Sequence, residues 1–313
     1  MSEKEGLFQR DNDFSQLVKK AKRKSIIRNL ILSIIVSILF FGGLLWLGTY
    51  QMYKKAEETQ TYDNMWLFVK GANVESNGSL FTNTPFSTTV TTARYKKIDG
   101  VPVPWGEHIK VFSILGTSRE IQASTISSSG NIEKERIPLY FEGERVTEFY
   151  YPTGKYPYLP DERVLLDEIA DHQVVEMAFS FDRDYTINEV RERFSGQLAW
   201  YWVDTASASE KENAVQPITG EDAYGFISRI EEMNEDAAER FIHQVEWLQK
   251  DGDSKEEAHR LYDILTDAGK KELAPENLKI TGAVVTGTPE ELKRFNEDPM
   301  IRAAVLGATA NKY

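Results

Sequence analysis

Between Leu30 and Tyr50 the chain runs for 21 consecutive residues without a charge. At 1.5 Å per residue a helix of that length spans roughly 31 Å, which matches the ~30 Å hydrocarbon core of a bilayer. Ser33, Ser37, Gly42, Gly43 and Gly48 fall inside the run. They weaken a helix in water, whereas small residues are common in transmembrane helices. Trp46, Tyr50 and Tyr53 gather at its far end, where amphipathic rings favour the headgroup layer. A cleaved signal peptide fits less well, because the lead is long and bulky residues stand where small cleavage-site residues belong. The run is therefore expected to be a transmembrane helix over 29–50, with 1–28 on one side and 51–313 on the other.

Charge gives the direction. Residues 1–28 hold eight Lys/Arg against four Asp/Glu, a local charge of +4, so the remainder carries −16 of the total −12. Lys19, Lys20, Lys22, Arg23, Lys24 and Arg28 stand directly before the span, while the twenty residues after Tyr50 offer only Lys54, Lys55 and Lys70. The positive-inside rule places the N-terminus in the cytoplasm and the C-terminal mass outside the cell membrane. These six residues read as topology anchors. An acidic bulk argues against nucleic acid as a partner of the main body. The absence of cysteine excludes disulfides, thiol catalysis and Cys-based metal sites.

Beyond the span, 51–160 divides into a charged, tyrosine-bearing stalk, Met52 to Lys70, and a part expected to be mainly β. Phe86 to Tyr95 is rich in β-branched residues and predicts a strand. Asp99-Gly100 and the prolines 102 and 104 mark turns, and Ser124 to Gly130 reads as an exposed loop. Three prolines and a glycine in Tyr150–Pro160 exclude a helix or central strand there and set the boundary of a distal domain, 161–313. In that domain Val175, Met177, Phe179 and Phe181 alternate with Glu176, Ala178 and Ser180, the pattern of a strand with one buried face. Asp182 and Asp184 flank a turn. Thr186 and Glu189 then form a capping box, and Leu198–Val203 is a second strand. Phe226, Ile230, Met233, Ala237, Phe241, Val245 and Leu248 predict one helix; Ala258, Leu261, Tyr262 and Leu265 predict another. Ile280–Thr286 is a strand, Thr288-Pro-Glu-Glu291 caps a further helix, and Ile301–Leu306 is the last strand. Each β–α–β unit runs through T-x-x-E to a phenylalanine, Phe194 or Phe295. The expected fold is one transmembrane helix plus an α+β extracytoplasmic region, its distal domain a ferredoxin-like βαβ–(helical insertion)–βαβ sandwich.

Catalytic signatures are missing. His108, His172, His243 and His259 stand in no zinc-binding spacing. Gly116-Thr-Ser118-Arg-Glu120 lacks the final glycine of a nucleophile elbow, and Asp251-Gly-Asp253 puts Lys255 at a calcium-ligand position. The expectation is a protein that is not an enzyme and that takes no cofactor and no metal. Tyr150–Pro160 is read as a packed interdomain linker before a peptide or glycan surface. In the arm, Asp11 or Asp13 can cap a helix on which Phe14, Leu17, Val18 and Ala21 form a narrow apolar stripe. Such a stripe either continues the membrane helix or docks in a partner's groove.

The arm Phe14-Ser-Gln-Leu-Val-Lys-Lys-Ala-Lys-Arg-Lys-Ser resembles the N-terminal module of bacterial sigma-factor regulators. Phe179-Ser-Phe-Asp-Arg-Asp-Tyr-Thr186, Trp200-Tyr-Trp-Val-Asp204 and Gly282-Ala-Val-Val-Thr-Gly-Thr-Pro289 resemble the C-terminal module of the same family. The resemblance covers both ends and touches 75–160 only loosely. It implies a membrane anti-sigma factor of a Gram-positive bacterium that holds an extracytoplasmic-function sigma factor inactive. The partner of Phe14, Leu17, Val18 and Ala21 would then be that sigma factor or a membrane co-regulator. The outer region would answer to cell-envelope stress through an unknown outer ligand. This chain departs from many anti-sigma factors in having no His/Cys zinc clamp and a very short cytoplasmic part. The other reading is an envelope-binding scaffold whose arm is only an anchor.

Overall fold

A computed structural model describes residues 2–122, 125–128, 136–228, 236–250 and 254–312, with the side chain of Phe14 and those from Leu17 onward other than that of Gln122. Helix α1 runs without a break from Ser2 to Val69. No proline lies in that stretch, and nothing in it forces a stop. It ends where Gly71 turns to φ +99° and Asn73 to φ 59°, left-handed values that terminate helices. The stalk is thus the C-terminal end of the same helix that carries the apolar run, and its packing explains why. Met52 and Ala56, four residues apart, are buried against Val90 and Phe112, and Val69 is buried in the main core.

Strands β1 (Val74–Asn83), β2 (Ser87–Ile98), β3 (Val101–Ser113) and β4 (Ser118–Gln122) form an antiparallel sheet in sequence order. Prolines 102 and 104 lie inside β3, not in turns. β4 pairs only with residues 108–112 of β3, which leaves 101–107 at an edge where a missing N–H is tolerated. The expected turn at Asp99-Gly100 is the β2–β3 connection. Short strands β5 (Ser127–Ser128), β6 (Leu139–Phe141) and β7 (Glu144–Arg145) make a small sheet, and β8 (Glu148–Phe149) pairs with β11 (Ile218–Thr219). Of the expected Ser-rich loop, residues 124, 129 and 130 lie outside the described residues.

The distal part begins with β9 (Gln173–Tyr185), α2 (Ile187–Arg193), β10 (Leu198–Val203) and α3 (Ala208–Glu212). After β11 come β12 (Gly225–Ile227), α4 (Ala237–Lys250), α5 (Lys255–Leu265), β13 (Ile280–Gly287), α6 (Pro289–Lys293) and β14 (Ile301–Asn311). The sheet order is β12-β10-β13-β9-β14, antiparallel at each junction, so each β–α–β unit has a strand of the other unit between its own two. The result is a mixed α+β region dominated by sheet. Both capping boxes form, Thr186 with Glu189 and Thr288 with Glu291, and Ser207 with Glu210 adds a third. Phe194 and Phe295, at the ends of α2 and α6, meet with ring centroids 5.0 Å apart over Phe179.

Several local expectations give way to packing. Asp182 and Asp184 belong to β9, which continues to Tyr185. Phe226 is in β12 and packs its ring on Phe241 of α4 at 5.3 Å; its helical spacing arises because both face one core. Ile230, Met233 and Asp251–Asp253 lie outside the described residues. The pattern of β9 promised one buried face, yet Glu176, Ala178 and Ser180 are as buried as Val175 and Phe179. The second face is covered by Phe149, Tyr150 and Tyr151, which close over Trp200 and Trp202. Tyr150–Pro160 is therefore a packed segment. Arg302 holds it by donating to the Tyr151 and Gly154 carbonyls at 2.6 and 3.0 Å.

Candidate functional site

Each residue of the expected partner stripe lies on α1, and each is exposed: Phe14, Leu17, Val18 and Ala21. At 100° per residue they occupy about 100° of arc, and Lys19, Lys20 and Arg23 fall on the opposite side. Lys22, Lys24 and Arg28 are exposed as well. The helix continues through this stripe into the apolar run, so the arm extends the membrane helix in the isolated chain. No residue of the most apolar 18-residue window of α1 is buried inside the protein. By length and composition, α1 is long and apolar enough to cross a bilayer.

The C-terminal end of the same helix is clamped. Tyr62 packs on Trp247 of α4 with centroids 5.2 Å apart, and the Arg240 guanidinium stands 4.6 Å over the Phe68 ring. Asp63 accepts from Lys110 of β3 at 2.7 Å. Beside it His108 contacts Glu120 at 2.8 Å. Burial, followed by the nearby Arg94 guanidinium, holds the His108 imidazole below its ordinary pKa despite these carboxylates. Lys70, just past the helix, donates to Glu257 of α5 at 3.1 Å, and the Tyr224 hydroxyl donates to the same carboxylate. Burial alone would raise the Glu257 pKa. The hydrogen bonds from Tyr224 and Lys70, together with the charges of Lys70 and Arg260, outweigh it and hold the carboxyl below its usual range. The Tyr224 phenol is pushed up, by burial first and then by Glu257. The backbone completes the clamp, Gly71 N donating to Ala223 O at 3.0 Å and Ala72 N to Gly220 O at 2.7 Å.

Around Lys70 lies a cleft of about 510 Å³ lined by Tyr151, Trp202, Asp222, Tyr224, Glu257 and Arg260, among others. One step deeper, Asn73 donates to Glu176 at 2.9 Å and Lys96 of β2 to the same carboxylate at 2.8 Å. The four-stranded sheet is thereby pinned to the five-stranded one. Among the described residues no group of three or more His, Asp or Glu side chains is placed to hold a metal ion. What the arrangement can do is mechanical: one continuous helix joins an exposed apolar stripe to a clamp formed by α4, α5 and the chain around β12. Lys70, Tyr224 and Glu257 could not be found from sequence, since 187 residues separate Lys70 from Glu257.

Two family models match the chain, one near each end. Residues 15–103 match the family described as sigma factor regulator N-terminal, and residues 166–308 match sigma factor regulator C-terminal. The chain is 21% identical over 306 residues to the probable anti-sigma-M factor YhdL of Bacillus subtilis strain 168, covering 91% of this chain and 80% of that one. No solved structure matches.

Proposed function

This chain belongs to the sigma factor regulators, carrying both an N-terminal and a C-terminal module of that family, and from that premise we propose that it is a non-enzymatic membrane anti-sigma factor. The arm 1–28 holds an extracytoplasmic-function sigma factor, or a membrane co-regulator, against Phe14, Leu17, Val18 and Ala21. Lys19, Lys20, Lys22, Arg23, Lys24 and Arg28 keep that arm in the cytoplasm. The outer part, a stalk and β-rich domain to 160 and an α/β domain from 161, responds to the state of the envelope. The interleaved strand order of the five-stranded sheet supports reading the distal domain as a ferredoxin-like split βαβ sandwich.

The observation that carries the reading is the unbroken helix from Ser2 to Val69. A change at the outer clamp that tilts or turns α1 displaces the stripe on the inside, and differential affinity for the two arrangements would release the partner. The name of the YhdL relative, a probable anti-sigma-M factor, points the same way.

Changing Phe14, Leu17 and Val18 together to Asp tests it. Each apolar side chain contributes roughly 1.5–3 kcal/mol when fully buried, and about 1.4 kcal/mol is tenfold in occupancy. A reporter for the cognate sigma factor should rise with the triple change and with deletion of residues 5–20. Output unchanged in both, at equal protein abundance, would make the arm an anchor only and leave the scaffold reading. For orientation, protease added to intact protoplasts should remove the chain beyond about residue 55 and spare an N-terminal tag; loss of the tag would reverse the topology.

A further inference from the structure

The end of the four-stranded sheet nearest the span carries apolar side chains that the chain leaves uncovered. One turn, residues 83–87, joins β1 to β2, and another, residues 113–118, joins β3 to β4. Both lie at the same end, since Ser87 pairs with Ser113 and Ile114 N donates to Phe86 O at 2.9 Å. That end rests against the outer terminus of the apolar run. Thr49 Oγ1 donates to Pro85 O at 3.4 Å and Lys55 Nζ to Gly116 O at 3.2 Å. A Cβ added to Gly48 would stand 2.6 Å from Ile114 Cγ1, so glycine is what lets the turn come this close to the helix. From there the sheet runs away from the span alongside α1, with Met52 and Ala56 against Val90 and Phe112, and Gln60 accepting from Thr92 at 3.2 Å.

The two turns therefore sit at the level of Gly48 to Tyr50. Trp46 and Tyr50 stack there with centroids 6.1 Å apart, the aromatic girdle expected at the headgroups. Composition at this end differs from the rest of the acidic outer region. No charge occurs from Ser76 through Ala93 or from Val111 through Ser118, and Thr and Ser fill most polar positions. Leu115 is 87% exposed, Leu80 68% and Phe86 61%. Charge-free chain with apolar tips suits the boundary between headgroups and acyl chains, where apolar area adds to binding. In open water it would be a patch without a use.

We propose that these turns seat on the outer leaflet of the bilayer that α1 crosses, with Leu115 and Phe86 inserted and Leu80 at the interface. The outer domain is then attached to the membrane at two places, the helix and the sheet end, and its tilt relative to the membrane is fixed by lipid. The inference rests on reading Leu30–Tyr50 as the membrane span.

The chain has no cysteine, so a single one can be introduced and labelled with a fluorophore in the full-length protein. Leu115→Cys, Phe86→Cys, Val215→Cys and Phe40→Cys would each be reconstituted in phosphatidylcholine vesicles carrying nitroxides at shallow or deep acyl positions. Labels at 115 and 86 should be quenched by the shallow nitroxide and lose most of their quenching by aqueous iodide, whereas the label at 215 should do the reverse. The label at 40 should be quenched by the deep nitroxide. If it is not, the span reading fails and the proposal fails with it. If it is, but 115 and 86 behave like 215, the proposal alone is overturned. Shielding of 115 and 86 from iodide and nitroxide alike also overturns it, in favour of a second copy of the chain covering this end.

Discussion

Lys96 is 1% exposed, with its Nζ 2.8 Å from Glu176 and 4.1 Å from the Trp105 ring centroid. Glu176 is filled further by Asn73 and by the backbone N–H of Ala308 at 3.3 Å. A buried ion pair recovers its desolvation cost only when the remaining lone pairs find donors, and here they do. Glu176→Gln leaves the ammonium buried without its counter-charge, so a loss of about 3–5 kcal/mol is expected in urea unfolding followed by tryptophan fluorescence. Adding Lys96→Met to Glu176→Gln should recover a substantial part of that loss. Glu257 gives a prediction in pH. Its folded pKa lies below the unfolded one, so its contribution is complete above the ordinary Glu value of ~4.3 and disappears as pH falls toward the depressed value. Glu257→Gln should lower the melting temperature at pH 7, and the difference from wild type should shrink below about pH 4. A difference independent of pH would remove the carboxylate from the clamp.

Elements written in local chemistry were legible in the sequence. A T-x-x-E cap is decided by neighbouring backbone N–H groups, and α2 and α6 start where Thr186 and Thr288 put them. Thr288→Ala should therefore cost about 1 kcal/mol. Phe179→Ala, which empties the space between Phe194 and Phe295, should cost roughly 3–5 kcal/mol; equal losses for the two variants would contradict the ring cluster. Features decided by distant partners were not legible. The stalk is helical because strands far along the chain bury Met52 and Ala56. Pro102 and Pro104 sit in a strand because β4 stops short of them. Phe226 mimicked a helical position because it shares a core with α4. The stripe Phe14–Ala21 could be read from spacing, while the clamp Lys70–Glu257–Tyr224 has no local pattern at all.

Across the whole molecule, no layer stands alone. The five-stranded sheet buries Phe179, Phe194 and Phe295 on one face, and on the other Trp200 and Trp202 depend on Phe149 and Tyr151, with ring centroids 4.8 Å apart for Phe149–Trp202 and 4.9 Å for Tyr151–Trp202. The C-terminal quarter of α1 supplies Val69 to the main core and Met52 and Ala56 to the other sheet. Where the chain is cut therefore decides what survives. A fragment of 51–313 keeps each of these contacts and should unfold in one cooperative transition in the absence of detergent. A fragment of 161–313 keeps the capped helices and the sheet but uncovers Trp200 and Trp202. Fully burying a side chain of this size is worth roughly 1.5–3 kcal/mol or more, against a total of only 5–15 kcal/mol for a typical domain. The shorter fragment should accordingly show red-shifted tryptophan emission and a lower urea midpoint than the longer one. If both fragments unfold at the same midpoint with the same emission maximum, the segment 148–151 contributes nothing to the five-stranded sheet, and that sheet is energetically separate from the chain before it.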